Sequence, residues 1–222
     1  MMSDMGDILI QAFGEKFNLE QYLNTRELTK RLCHELSSLI KPGMNESQAH
    51  EIYRELLIKN FVFQSWHPTK IRFGKNTTKS FRELSDDSIL LEEDDLFFID
   101  IGPVFKGHEG DYGETFSYGK KYDLLKQASR EIFEQTQNEW RQTQRCGVEL
   151  YEFAQNLARK KGFTLNHNMD GHRLGDFPHG LHFKGGLGEC EEQTKPYAWV
   201  LEIHLIDESS QRGSFFEDIL MP

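Results

Sequence analysis

The amino-acid sequence predicts an α+β protein with helices packed on one face of a largely antiparallel sheet. Two observations lead there. Apolar residues recur at helical spacing near the N-terminus and again in mid-chain. Short aromatic and β-branched runs, set off by turn residues, lie between those helices and after them, so the order is helices, a hairpin, helices, then strands.

In chain order, residues 19–40 bring Leu19, Tyr22, Leu23, Leu28, Leu32, Leu36 and Leu39 to helical spacing. Pro42 and Gly43 stop that helix. Asn45 caps the next, and Gln48 three residues on completes a capping-box pattern. The stretch "FVFQSWHPTKIRFG" reads as a strand. "SDDSILLEEDDLFFIDIGPVF" leads into a hairpin that turns near Phe105–His108, with Gly107 and Gly110 available. Residues 121–143 and 147–161 read as two amphipathic helices parted near Gly147. A loop-rich region follows ("MDGHRLGDFPHG", "FKGGLGE"), and "YAWVLEIHLID" and "GSFFEDILM" are strands. One domain over 19–222 is expected behind an N-terminal extension over 1–18.

Bulk properties narrow the function. The chain has 222 residues, enough for one well-cored domain, and its 17 phenylalanines suit an aromatic core. A formal net charge of −10 argues against a nucleic-acid partner, since a polyanion would be repelled. No run of 18 apolar residues occurs, so no membrane-spanning helix is expected. "MMSDMGDILIQAF" lacks the basic and long apolar regions of a secretory signal. Cys33, Cys146 and Cys190 are far apart and odd in number, which points to reduced thiols and a cytoplasmic location.

Asp100 follows Phe97, Phe98 and Ile99, which places a carboxylate deep in an apolar strand. Such a group is costly to bury without donors or a cation. Asp111 is 11 residues on. Across a hairpin with an even-length loop, directly paired residues differ by an odd number and share a face, so the two aspartates can be cross-strand neighbours. A divalent cation would relieve their repulsion; solvated acids on an exposed hairpin are the alternative. Glu202 in "WVLEIHL" and Glu217 in "SFFEDILM" are likewise embedded in apolar strands. His172 and, seven residues later, His179 lie in the Gly-rich loop. Four carboxylates with at least one imidazole suit two adjacent ions of the Mn, Fe, Co or Zn type rather than a thiolate-held structural zinc.

The order Asp-x10-Asp … His … Glu … Glu resembles the pita-bread metallohydrolases: methionine aminopeptidase, aminopeptidase P, prolidase and their creatinase relatives. "FFIDIG…GDYGETF" resembles their two-aspartate strand pair, "GHRLGDFPH" their Gly-His loop, "KPYAWVLEIHL" their Glu-Pro strand and "GSFFEDILM" their closing Glu-Asp strand. Upstream, "IKPGMNESQAHEIYRELL" is similar to their Pro-Gly-Met-Thr-Glu helix start. The resemblance spans residues 20–222. It implies a pita-bread fold, with a curved sheet and helices on its outer face. It implies Asp100, Asp111, His172, Glu202 and Glu217 as ligands of two divalent ions (Mn, Co, Fe or Zn), Asp111 and Glu217 bridging them. It implies a metal-bridging water as nucleophile, Glu202 as proton carrier and His179 as hydrogen-bond donor to the substrate carbonyl. The substrate would be a peptide or small-molecule amide cleaved at its N-terminal or Xaa-Pro bond. A homodimer stays open.

The sequence also departs from that pattern. Many relatives carry a histidine shortly before the first ligand strand, where "NTTKSFRE" here has Phe81 followed by Arg82. Neither can do the same job. His67, in "SWHPTK", is the candidate to fill that place in space. His204 stands where the proline of the Glu-Pro pair usually stands and follows Glu202 by two, either as an extra group at the site or as a neutral strand histidine. Alternatives to a peptidase are a creatinase-like hydrolase of a non-peptide C–N bond and a non-catalytic binding protein on the same fold.

Overall fold

A computed structural model describes residues 11–178 and 185–222. The α+β architecture expected from the sequence is the one observed. Helix α1 (Leu19–Leu39) is capped by the Asn18 side chain, which accepts from Gln21 N at 3.0 Å. Helix α2 (Glu46–Lys59) opens on a reciprocal capping box: Asn45 Oδ1 accepts from Gln48 N at 2.9 Å, and Gln48 Oε1 from Asn45 N at 3.0 Å. Ahead of α1, the side chain of Gln11 is buried, donates to Gln193 O at 2.8 Å and accepts from Trp199 Nε1 at 2.9 Å.

Strand β1 (Lys70–Phe73) is shorter than the strand-like stretch suggests. Ser65 still bridges Pro103, and Trp66 N donates to Gly102 O at 2.9 Å, but Lys70 pairs with Asp100. Residues 67–69 therefore span the distance that Ile101 alone spans on the neighbouring strand. The result is a bulge of two extra residues, at a proline that has no N–H to give the ladder.

The central hairpin runs through β2 (Leu96–Ile101), β3 (Val104–Phe105), β4 (His108–Glu109) and β5 (Tyr112–Ser117). One register holds throughout, from Leu96 opposite Ser117 to Phe105 opposite His108. Lys106 and Gly107 close it with φ of +49° and +75°, the two positive angles of a type I′ turn.

Helices α3 (Asp123–Thr143) and α4 (Gly147–Lys160) follow, then β6 (Thr164–Leu165), β7 (His172–Arg173), β8 (Trp199–Asp207) and β9 (Arg212–Ile219). The main sheet is antiparallel in the order β1-β2-β5-β9-β8-β6, and β7 joins the same edge of β8 as β6.

Side chains alternate across a strand, so the register divides the sheet into two faces. One face carries Phe73, Phe97, Ile99, Tyr112, Leu201, Ile203 and Phe216. These share a buried core with Leu32 and Leu36 of α1, Ile132 and Phe133 of α3, and Leu150 and Ala154 of α4. The helices thus cover one face, and Asp100, Glu202 and Glu217 project from the other.

Candidate metal centre

The ladder places the acidic residues. Asp100 faces Gly113, Gly113 faces Glu217, and Glu217 faces Glu202, across four consecutive strands. Every step is a direct pair, so Asp100, Glu217 and Glu202 share one face. Asp111, two residues before Gly113, is on that face as well. The aspartates are therefore diagonal neighbours rather than the directly paired residues that the spacing allows. His172 pairs with Val200, two residues from Glu202. Gly171 permits this: its φ is +72°, and a Cβ there would lie 2.3 Å from Val200 O.

Asp100, Asp111 and Glu217 are 3%, 1% and 2% exposed, and Glu202 is also buried. His172 Nε2 lies 2.9 Å from Asp111 Oδ2 and 3.4 Å from Glu202 Oε1. His67 Nε2 is 3.4 Å from Asp100 Oδ1 and 3.4 Å from Asp111 Oδ1. Asp100 Oδ1, Asp111 Oδ1 and Glu217 Oε1 are buried without a hydrogen-bond partner among the described residues. Ligand atoms of His67, Asp100 and Asp111 lie within 4.8 Å of one another, as do those of Asp111, His172 and Glu217. Asp111 belongs to both groups.

Burial and mutual repulsion act together on these carboxyls. Burial raises Asp100 to about 6 and Glu202 to about 8, with the imidazolium of His67 opposing the first and that of His172 the second. Glu217 is pushed well above the carboxylate range by burial, then by Asp111, Asp100 and Glu202. Burial works against ionisation of Asp111 too, but the two imidazoles outweigh it and hold that carboxyl low. Burial likewise lowers the imidazoles, and the carboxylates overcome it, to about 9 at His67 and about 10 at His172. Protons thus do the neutralising where no other cation is held. The donor set fits divalent ions: orphaned carboxylate oxygens converge with imidazole nitrogens, and among the described residues no cysteine belongs to either group.

A cavity of about 310 Å³ opens beside the cluster, walled by Trp66, His67, Phe81 and Met169. The Phe81 ring is 5.9 Å from that of His67, and Lys70 Nζ sits 4.4 Å above it. His67 thus enters the cluster from across the cavity wall that Phe81 forms. His204 does not reach the site. It is fully buried, its Nε2 lies 2.7 Å from Thr77 O and its Nδ1 3.0 Å from Asn166 Nδ2, and burial lowers it to about 4. It is the neutral strand histidine of the two alternatives. His179 lies outside the described residues.

Other residues support the site, and Tyr151 and Trp66 carry no signal of their own in the sequence. Tyr151 sits in an amphipathic helix where any large core residue would fit. Its hydroxyl donates to Glu202 O at 2.9 Å and accepts from Glu202 N at 3.1 Å, plugging the edge of β8 between β7 and β6. Asp218, next to Glu217, points to the helical face and takes a 2.6 Å hydrogen bond from Arg26 Nε. The strand is thereby held from behind. Trp66 packs on His67 and His172, with ring centroids 4.3 and 4.8 Å away.

Comparison with known proteins agrees with this geometry. The model of metallopeptidase family M24 matches residues 20–210. The methionine aminopeptidase of Pyrococcus horikoshii is 23% identical over 160 residues, covering 71% of this chain and 52% of its own length. Methionine aminopeptidase 2 of Debaryomyces hansenii is 25% identical over 172 residues, covering 68% and 39%. Among solved structures, the X-Pro aminopeptidase of Thermotoga maritima superposes with a TM-score of 0.75 at 18% identity, over 100% of this chain and 65% of that one. The prolidase of Pyrococcus horikoshii gives 0.73 at 19%, over 100% and 63%. The shared fold is the pita-bread fold. The chain spans less than two thirds of the length of each of these proteins.

Proposed function

The chain belongs to metallopeptidase family M24, and from that premise we propose that it is a dinuclear-metal-dependent hydrolase, an aminopeptidase or Xaa-Pro-type peptidase that cleaves the N-terminal amide bond of a small peptide. One observation carries the reading: Asp100, Asp111, His172, Glu202 and Glu217 converge on one sheet face, with orphaned buried oxygens, beside an open cavity.

In this reading those five residues hold two divalent ions of the Mn, Co, Fe or Zn type. Bound there, such ions supply Lewis acidity, lowering the pKa of water and polarising a carbonyl. Glu202 is the proton carrier. Buried at the cluster and lining the cavity, its carboxylate would take a proton from water and return it to the leaving amine. Tyr151 fixes the backbone of Glu202 while it does so. Trp66, Phe81 and Met169 give the cavity apolar walls that suit a small apolar side chain. His179 is kept as a donor to the substrate carbonyl on the motif alone. A peptide or small-molecule amide is the partner, with the charge of −10 set against nucleic acid. The three free cysteines support a cytoplasmic location. No helix among the described residues is long and apolar enough to cross a membrane.

Phe81 favours a second reading, a creatinase-like hydrolase of a non-peptide C–N bond, because it puts an apolar ring rather than a hydrogen-bonding group at its own place in the cavity wall. A panel of Met-, Ala- and Xaa-Pro peptides, with creatine beside them and Mn, Co, Fe or Zn added separately, decides. Turnover of a peptide that is lost in Asp111→Asn supports the peptidase. Turnover of creatine alone supports the second reading, and no turnover with any metal rejects both.

A further inference from the structure

The bulge before β1 turns His67 out of the ladder and over the carboxylates, and the opposite strand makes room for it. A Cβ on Gly102 would lie 2.1 Å from His67 Cδ2 and 2.3 Å from Nε2. The ring fills the place that a side chain would otherwise take, and its side chain is only 8% exposed.

The orientation of the ring is set by its other nitrogen. Nδ1 lies 3.0 Å from Pro68 O, and a carbonyl only accepts, so Nδ1 carries the proton. In the neutral ring, Nε2 then presents a lone pair to Asp100 and Asp111. His172 repeats the arrangement, with Nδ1 2.9 Å from Arg173 O and Nε2 directed at Asp111. Each imidazole is thus tied to the carbonyl of the residue that follows it and aims its other nitrogen into the cluster, the usual support of a metal-ligating histidine.

The distances also matter. His67 Nε2 is equally far, 3.4 Å, from one oxygen of each aspartate, beyond the range of a well-formed N–H···O bond. Neither Nε2 nor either oxygen has a hydrogen-bond partner among the described residues. A nitrogen and two carboxylate oxygens held at ion-pair distance, without hydrogen-bond geometry between them, are placed to share a common cation.

We propose that His67 Nε2 is a sixth protein ligand of the metal centre, on the side of Asp100 and Asp111, opposite His172. Each of the two ions then has one imidazole. Nitrogen on both sides shifts the preference of the centre from Mn toward Fe, Co or Zn. This rests on the dinuclear-metal reading above, and the test separates the two.

The protein is stripped with chelator, reloaded with Co(II) and labelled with 15N-histidine. Proton NMR then counts the hyperfine-shifted Nδ1–H signals of cobalt-bound imidazoles. The wild type should show two, and His67→Asn and His172→Asn one each. The tighter-held ion should persist in His67→Asn while calorimetry finds the other weakened by at least the 10- to 100-fold, roughly, that losing an outer-shell partner costs. Gly102→Ala keeps His67 in the sequence but evicts its ring from the cluster, and should behave like His67→Asn. A wild type that binds cobalt but shows a single shifted imidazole overturns the role of His67 and leaves the metal reading standing. A wild type that binds no cobalt overturns both.

Discussion

Gly113 lies directly opposite Glu217, and the space its missing methyl group would need is already taken. A Cβ there would sit 2.6 Å from Glu217 Oε1 and 2.3 Å from the Phe215 ring. Gly113→Ala should therefore destabilise the fold by about 1–3 kcal/mol and push Glu217 out of the cluster. Urea denaturation reads the first effect and metal titration the second. A variant with wild-type metal affinity would show that Glu217 is not held where its ladder pair puts it.

Tyr151 offers a change of a single oxygen. Tyr151→Phe keeps the ring but leaves the N–H and C=O of Glu202 without their partner, in a residue that is 8% exposed. The expected cost is about 1–3 kcal/mol. If Glu202 carries the proton, kcat should fall more than KM changes. An unchanged kcat would mean that the backbone of Glu202 needs no such brace.

Removing one buried carboxylate should separate stability from metal binding. In Asp100→Asn, chelator-treated protein should melt at or above the wild-type temperature, because one of four crowded acids is gone. Saturating metal should raise the wild type by about 2.7 kcal/mol at a hundredfold excess over Kd and leave the variant nearly unmoved. A variant stabilised by metal as much as the wild type would exclude Asp100 as a ligand.

His204 predicts an acid limb in the stability profile. Its folded pKa, near 4, is below the ordinary 6.5, so between those values the unfolded chain binds the proton and the folded chain does not. This contribution is complete above pH 6.5 and is lost as pH falls through 4, about 3 kcal/mol in all. Denaturation at a series of pH values, with His204→Gln as reference, should show the wild type losing more stability across that window. Parallel curves would refute the assignment.

Much of this was legible in the residues because the sheet obeys a period of two. Asp100, Glu202 and Glu217 each sit inside an apolar run, and once the strands are recognised their shared face follows from alternation. The capping box at Asn45 was equally plain, being a purely local pattern. What stayed hidden depends on partners distant in sequence. Tyr151 looks like any core aromatic until β8 leaves a gap for its hydroxyl. Gly113 and Gly102 look like hairpin glycines until Glu217 and His67 arrive beside them. His204 has the spacing of a site residue, and only Thr77 and Asn166 show why it is not one. The stretch around His67 read as continuous strand because the pattern of apolar residues does not reveal where a proline lets the ladder skip.

That skip separates two kinds of change. Asp100, Glu202 and Glu217 are fixed by pairing, so shifting any one of them by a residue would turn a whole strand inside out. His67 stands on two surplus residues that no neighbouring strand counts. Shortening this loop would leave the acidic array in place while withdrawing the imidazole. A lineage could therefore retune the chemistry of the pocket by editing two codons, with the scaffold untouched.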